Sequence, residues 1–177
     1  MNDLNGGGNG IARVGVTTTL AEFVVEASAR GLRSVTPVDT RGSVDTGGVT
    51  SALADEQALA HARAAVEALH RYAAGEPVHF EGPLDVAAPH LHRATWKRLR
   101  TVPFGATVTY GEIAVDLGMP GEARAIGAAV GANPVCILVP CHRVVGADGG
   151  LRGFAWGLDF KRRLLAHEGS GALSLFG

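Results

Sequence analysis

Cys141 and His142, which follow Pro140, are the adjacent pair of residues in this sequence best suited to covalent chemistry. A cysteine attacks as its thiolate, and a neighbouring histidine can lower the thiol pKa or take its proton. Side chains of adjacent residues on an extended strand point to opposite faces, so these two can share a proton only through a turn or a bridging water. We therefore expect a turn at Pro140. An isolated Cys-His pair is more often structural than catalytic, so the chemistry needs support from other residues.

Glu168 stands where a helix does not favour a carboxylate. The sequence predicts a last helix over residues 158–167, and Glu168 follows it directly. A negative charge at a helix C-terminus opposes the helix dipole, at a cost of a few tenths to about 1 kcal/mol. Either this end is frayed and exposed, or another group holds the carboxylate. Pairing with His142 would give a Cys-His-Glu arrangement in which Glu168 fixes the imidazole tautomer.

The apolar residues 135–139 predict a short buried strand that delivers Cys141 to its turn. Pro140 ends this strand because it has no N–H to donate. The second cysteine, Cys136, lies inside the run with no charged neighbour, so we interpret it as a small core residue. Two cysteines this close cannot join distant segments by a disulfide, which is typical of a reducing compartment.

Two short helices are expected before the cysteine. Thr109, with Glu112 three residues later, forms a capping-box signature, and Gly118 supplies a stop. The next helix buries Ala123 and three further small or apolar residues, and Arg124 lies about 100° away from that face. This pattern is typical of a helix-turn-helix with an arginine that can enter a groove, although helical hairpins and exposed arginines also occur in proteins that never bind DNA.

The N-terminal half predicts strands followed by a helix. Residues 1–10 are expected to be a disordered lead-in, and residues 36–51 a loop. A hairpin is expected from strands at residues 23–28 and 32–38. A helix is expected to start from a cap at Ser51 and to stop before Gly75.

The two halves differ in charge, although the formal net charge is only −1. Residues 1–92 carry 6 Lys or Arg against 11 Asp or Glu, and residues 93–177 carry 10 against 6. A basic domain suits a polyanion such as DNA, and a solvated basic surface is the alternative. Because residues 75–89 contain three prolines and look like a linker, we divide the chain into an N-terminal domain 11–85 and a C-terminal domain 90–177. No signal peptide or membrane anchor is predicted, so we expect a cytoplasmic protein.

The sequence closely resembles the O6-alkylguanine-DNA alkyltransferases over residues 90–169. The resemblance implies an α/β (α+β) fold, with a small ribonuclease-H-like strand and helix domain at the N-terminus and a mainly helical C-terminal domain containing the helix-turn-helix. The motifs that carry it are, in chain order, Val102-Pro103-Phe104-Gly105, Thr109-Tyr110-Gly111-Glu112-Ile113-Ala114, Ala123-Arg124-Ala125-Ile126-Gly127, Asn133-Pro134, Val139-Pro140-Cys141-His142-Arg143-Val144-Val145-Gly146, Gly153-Phe154-Ala155-Trp156-Gly157 and Leu164-Leu165-Ala166-His167-Glu168-Gly169.

The resemblance also implies a reaction and its catalytic residues. Cys141 would irreversibly accept a methyl or small alkyl group from O6-alkylguanine, or from O4-alkylthymine, after the damaged nucleotide leaves the stack of double-stranded DNA. Asn133 would hold the turn that presents Cys141, His142 would act through a water as base, and Glu168 would orient it. The damaged base is itself the alkyl donor, so no cofactor is expected, and the protein is expected to be a monomer.

The same resemblance implies a set of DNA-binding residues. Arg124 would fill the space that the flipped nucleotide leaves, and Tyr110 would crowd a phosphate and contact the flipped base. Backbone groups near Val144 and Ala155 would recognise the guanine edge. The implied DNA- and base-binding residues are Tyr110, Ala123, Arg124, Val144, Phe154, Ala155 and Trp156.

Some positions depart from the family pattern. Trp156 stands where many members have Gly and is expected to narrow the pocket against bulky alkyl groups. Glu122 and Ala132 replace residues that favour DNA, so weaker DNA binding is expected. Residues 1–85 contain no cysteine and no closely spaced histidines, so the structural zinc of some members is not expected.

Two other functions are compatible with parts of the pattern. A sensor that binds alkylated DNA without transferring anything would use the same helices, but such relatives lack the cysteine that this chain has at Cys141. A thiol hydrolase using Cys141, His142 and Glu168 would leave Arg124 and the helix-turn-helix unexplained.

Overall fold

A three-stranded antiparallel sheet forms the first part of the protein. In a computed structural model, residues 10–38 and 54–170 are described. The sheet has the order β1 (Ala12–Thr17), β2 (Glu22–Ser28) and β3 (Gly31–Pro37). The expected hairpin is confirmed as β2 and β3, whereas β1 was not predicted. The lead-in up to residue 9 and most of the expected loop at residues 36–51 lie outside the described residues, and residues 36 and 37 belong to β3.

Helix α1 (Glu56–Ala73) packs on this sheet. Its N-cap is Asp55, whose carboxylate accepts a hydrogen bond from the Gln57 N–H, so the prediction of a start at Ser51 was wrong by one turn. The carboxylate satisfies one of the free N–H groups of the first turn. Four of the six buried residues of α1 are alanines, which let the helix lie close to the strands.

The predicted linker, residues 75–89, is hydrogen-bonded to strand β3 of the sheet. The Leu32 N–H donates to the Pro83 carbonyl at 2.9 Å, and the Asp85 N–H donates to the Leu32 carbonyl at 2.7 Å. Leu32 and Leu84 form an isolated parallel bridge. The linker therefore covers part of the outer edge of β3, whose backbone groups would otherwise be unpaired.

The second part of the protein is mainly helical. Its elements, in chain order, are α2 (His90–Leu99), β4 (Val108–Thr109), α3 (Tyr110–Asp116), α4 (Ala123–Gly131), a 3-10 turn (Cys141–Arg143), β5 (Val144–Val145) and α5 (Leu158–His167). The α+β fold class is confirmed. The ribonuclease-H-like description and the domain boundaries stay predictions. None of the helices in residues 10–38 and 54–170 is long and apolar enough to cross a membrane.

The helix-turn-helix begins as its sequence predicts. Thr109 accepts a hydrogen bond from the Glu112 N–H through its side chain, and the Glu112 carboxylate accepts one from the Thr109 N–H, which completes the capping box. Helix α3 ends at Asp116, and Gly118, two residues later, has a positive φ of +71° that suits a residue without a side chain. Helices α3 and α4 pack against each other, and α4 also packs against α2.

The residues before Cys141 are buried but do not form the predicted strand. Val135 forms an isolated parallel β-bridge with Val35 of β3. In this bridge the Cys136 N–H donates to the Val35 carbonyl at 3.0 Å. The chain then turns, and Ile137 has a φ of +67°. Apolar residues fill this turn because it lies in the core shared by both halves of the protein.

The contact between β3 and the linker predicts a difference between two glycine variants. Gly31 and Gly75 both have positive φ, so alanine at either position strains the backbone by roughly 1–3 kcal/mol. A Cβ at Gly31 would lie 2.4 Å from the Pro83 oxygen, whereas a Cβ at Gly75 would meet no atom of the described residues within 4 Å. We expect Gly31→Ala to lower the urea midpoint of unfolding further than Gly75→Ala. Equal midpoints would show that the linker contact contributes nothing to stability.

Candidate active site

Asn133 holds Cys141 in place by closing the turn that precedes it. Its side-chain N–H donates to the Val139 carbonyl at 2.9 Å and to the Cys141 Sγ at 3.1 Å, and its side-chain oxygen accepts from the Val135 N–H at 3.0 Å. One amide therefore joins both ends of the turn and reaches the sulfur. Cys141 begins the 3-10 turn and is almost fully buried.

The thiol of Cys141 is protonated at neutral pH. Burial raises its pKa to about 11, although the Asn133 hydrogen bond and the positive charge of Lys161 act in the opposite direction. A reaction at this sulfur therefore needs a base.

His142 and Glu168 form a fully buried pair, with the His142 Nε2 2.6 Å from the Glu168 Oε1. The carboxylate can only accept, so Nε2 carries the proton and Nδ1 is the free acceptor. Burial lowers the pKa of His142 and keeps the imidazole neutral, although Glu168 acts to raise it. Among the described residues, no group hydrogen-bonds to the buried Nδ1. The ring is thus presented as a neutral base.

Arg143 supplies the positive charge that keeps Glu168 ionised. Its Nε donates to Oε2 at 2.9 Å and its Nη2 donates to Oε1 at 3.0 Å. The Gly105 N–H donates to Oε2 at 3.0 Å. Burial alone would raise the pKa of Glu168, but the hydrogen bonds from His142 and Arg143 and the charge of Arg143 outweigh it, and the pKa falls to about 2. The carboxylate at the end of α5 is therefore buried and paired rather than frayed.

Lys161 is a buried cation that the sequence did not reveal as part of the site. Its Nζ donates to the Val144 carbonyl at 2.6 Å and to the Arg152 carbonyl at 3.1 Å. Burial lowers its pKa to about 8, while Cys141 acts to raise it. Lys161 joins the segment after the cysteine to α5 and places a positive charge near the sulfur.

Tyr110 lies at the start of α3, and the pairing of β4 with β5 brings this point close to the 3-10 turn. Burial raises the pKa of the Tyr110 hydroxyl. Ala123 and Arg124 begin α4; Ala123 is half-buried, and Arg124 is exposed as expected. A Cβ on Gly127, one turn later, would lie 3.8 Å from the Tyr110 ring.

The remaining predicted residues lie at two different places. Val144 is buried in β5, directly after the cysteine turn. Phe154 and Trp156 contact each other edge to face, with ring centroids 5.3 Å apart. Ala155 and Trp156 line a cavity of about 700 Å³. Its other walls come from the segment between β1 and β2 with the first residue of β2, from the end of β3, and from the start of α5. These residues are Leu20, Ala21, Glu22, Pro37, Val38, Gly157, Phe160 and Arg163. Because this lining includes no part of the cysteine turn, the narrowing effect of Trp156 on a lesion pocket stays a prediction.

Tyr72 of α1 is a further contact of the site that sequence reasoning missed. Its hydroxyl donates to the Glu168 Oε1 at 2.8 Å. Tyr72 follows Leu69 by three residues on the buried face of α1, a position that predicts core packing but not a polar contact. In residues 10–38 and 54–170, no cluster of His, Cys, Asp or Glu is arranged to hold a metal ion.

Known proteins match this chain in sequence and in structure. Residues 90–170 match the family described as 6-O-methylguanine DNA methyltransferase, DNA binding domain. A methylated-DNA–protein-cysteine methyltransferase of Mycolicibacterium paratuberculosis is 52% identical over 104 residues, which cover 59% of this chain and 63% of that protein. The protein of the same name from Mycobacterium bovis is 49% identical over 115 residues, which cover 63% of this chain and 70% of that protein. The crystal structure of Mycobacterium tuberculosis OGT in complex with DNA has a TM-score of 0.72 and 34% identity, and the match covers 93% of this chain and 99% of that chain.

The fold and site define a protein with a buried thiol, a His-Glu pair beside it and a helix-turn-helix next to both. The identity and coverage of the relatives then identify the group. This chain belongs to the methylated-DNA–protein-cysteine methyltransferase family, which confirms the family expected from its motifs.

The buried ion pair predicts how the protein responds to loss of one charge. Glu168→Gln keeps the shape of the side chain but leaves Arg143 buried without a counter-charge, which is expected to cost about 3–5 kcal/mol of unfolding free energy. In the wild type this stabilisation is complete above the ordinary carboxyl pKa of 4.5 and is lost as the pH falls towards 2. The variant is therefore expected to lack this part of the acid dependence in urea unfolding.

A matched control is Glu76→Gln, which removes a solvent-exposed ion pair with Arg71 of 2.7 Å. Exposed pairs contribute little, so this variant is expected to unfold nearly as the wild type does. Identical urea midpoints for the two variants would contradict the role of the Glu168 charge.

Proposed function

We propose that this protein repairs alkylated DNA by transferring a methyl or small alkyl group from O6-alkylguanine, or from O4-alkylthymine, to the Sγ of its own Cys141. Family membership supports methyl transfer from DNA to a protein cysteine. The observation that carries the choice of residue is the buried Cys141 thiol on a turn, beside a neutral His142 held by Glu168. Cys136, the other cysteine, is fully buried and has no such base beside it among the described residues.

Thiol activation is proposed to proceed through a water between His142 and Cys141. The Nδ1 of His142 is the acceptor that can take the thiol proton through this water. Glu168 then stabilises the imidazolium that forms, because its charge lies 2.6 Å from Nε2. The thiol needs this help because burial raises its pKa to about 11.

The transfer step balances without a cofactor. The Cys141 sulfur forms a bond to the alkyl carbon while the bond from that carbon to O6 breaks. The electron pair of the broken bond stays on guanine, which is neutralised by a proton equivalent to the one removed from the thiol. The product is a thioether with no easy leaving route, so each molecule acts once.

Duplex DNA is the proposed partner, and α4 is the proposed element that meets it. A relative of this chain has been crystallised in complex with DNA, which supports this assignment. Arg124 is exposed at the first turn of α4 and is proposed to fill the space of the flipped nucleotide. Tyr110 is proposed to contact the flipped base, together with Ala123, Val144, Phe154, Ala155 and Trp156. We also propose that the protein is a monomer and is located in the cytoplasm.

The direct test is to mix the protein with a duplex that contains a single O6-methylguanine and to locate the added methyl group by peptide mass spectrometry. We expect stoichiometric methylation of Cys141 and loss of the lesion, because Cys141 is the thiol that has a base. Cys136→Ala is the matched control and is expected to retain transfer, whereas Cys141→Ala is expected to abolish it. An intact lesion with unmodified Cys141 would contradict the proposal and would favour a sensor or a hydrolase.

A further inference from the structure

Tyr72 brings the N-terminal half of the protein into contact with the thiol-activating pair. It lies in the last turn of α1 and is almost completely buried. Its ring packs edge to face against Phe104 with centroids 5.8 Å apart, and it lies 5.3 Å from the His167 ring. The phenol is therefore fixed in position by aromatic neighbours from two segments of the C-terminal half.

The end of α1 and the end of α5 are joined at two points, and both use Tyr72. The Tyr72 hydroxyl donates to the Glu168 Oε1 at 2.8 Å. The His167 Nε2 lies 2.7 Å from the Tyr72 carbonyl oxygen. His167 at the end of α5 and Glu168 directly after it are thus both held by one residue of α1, so a shift of the carboxylate would disturb the contact between the helices.

We propose that Tyr72 is a positioning residue of the active site: its hydroxyl holds the carboxylate oxygen of Glu168 that also receives the His142 N–H, and so couples α1 to thiol activation. This inference rests on the proposed function, since it assigns Tyr72 a part in activating Cys141. Among the described residues, no hydrogen bond joins Tyr72 to the Cys141 sulfur or to the Nδ1 of His142, so Tyr72 acts through Glu168.

The geometry determines the direction of its effect. Oε1 of Glu168 accepts from Tyr72 at 2.8 Å and from His142 at 2.6 Å, so the two donors share one oxygen. The Tyr72 oxygen is 3.4 Å from the His142 Nε2, longer than the 2.6 Å between this nitrogen and Oε1, so the carboxylate is the main partner of Nε2. By donating to Oε1, the phenol draws negative charge away from the imidazole. It therefore helps to keep His142 neutral and available as a base.

Tyr72 stays a donor over the whole working pH range. Burial raises the pKa of its hydroxyl well above the ordinary value of 10.0, and the charge of Glu168 raises it further. The groups that face His142 are Glu168 and Lys161 from α5 and its end, Arg143 from the 3-10 turn, and Tyr72 from α1. Of these, Glu168 raises the pKa of His142, whereas Arg143 and Lys161 lower it.

The test compares the pH dependence of alkyl transfer in single-turnover reactions of the full chain. Tyr72→Phe keeps the ring and removes only the hydroxyl. Without this donor, the carboxylate attracts the His142 proton more strongly, so the pKa of His142 rises. We expect the acidic limb of the rate profile to move to higher pH by roughly half a unit to one unit.

A second substitution is expected to have the opposite effect. Replacement of Tyr72 by 3-fluorotyrosine keeps the hydroxyl and makes it a stronger donor, so the acidic limb is expected to move to lower pH. This variant also preserves the network if Tyr72→Phe does not fold. Leu69→Val, one turn earlier on the same buried face, is the control for lost packing and is expected to leave the limb where it is in the wild type.

The contradicting results are an unchanged limb or a shift to lower pH in Tyr72→Phe, or an equal shift in Leu69→Val. Titration of the His142 ring by NMR provides a separate measurement, because it follows the pKa of the imidazole without any transfer. Wild-type protein that transfers no alkyl group would refute the proposed function, whereas an His142 titration that is insensitive to the Tyr72 hydroxyl would refute the role of Tyr72.

Discussion

The buried carboxylate of Glu168 is the interaction on which the rest of the site depends. An ionised carboxylate away from water is very unfavourable unless charge and hydrogen bonds compensate it. Arg143 provides the charge, and the groups of His142, Tyr72 and Gly105 provide further donors. The donors come from three segments of the fold, because His142 and Arg143 both belong to the 3-10 turn, Tyr72 to α1 and Gly105 to the loop before β4. The carboxylate therefore sets the relative positions of α1, α5 and the cysteine turn, as well as the tautomer of the imidazole.

The buried surroundings of Cys141 and His142 determine the protonation state of both side chains in the resting protein. Burial disfavours the charged form of both groups, so it leaves Cys141 as a thiol and His142 as a neutral ring. The resting protein thus has a protonated thiol at Cys141 and a neutral imidazole at the next residue, His142.

The sequence predicted the elements that local chemistry determines. The capping box of Thr109 and Glu112 and the β2–β3 hairpin need only neighbouring residues. The pairing of Glu168 with His142 was also accessible, because a carboxylate at a helix C-terminus is unfavourable on its own. Residues 135–139 were wrongly predicted as a strand, since buried strands and buried turns are equally apolar. Tyr72 was missed because a contact between α1 and α5 depends on tertiary packing, which the spacing along one helix does not report.

The central claim is that Glu168 fixes His142 as a neutral imidazole with its proton on Nε2 and with Nδ1 free. The most direct test is the nitrogen NMR spectrum of His142 in the resting protein at neutral pH, because protonated and unprotonated ring nitrogens resonate at different frequencies. The account predicts a protonated Nε2 and an unprotonated Nδ1. A proton on Nδ1, or an imidazolium with both nitrogens protonated, would contradict it.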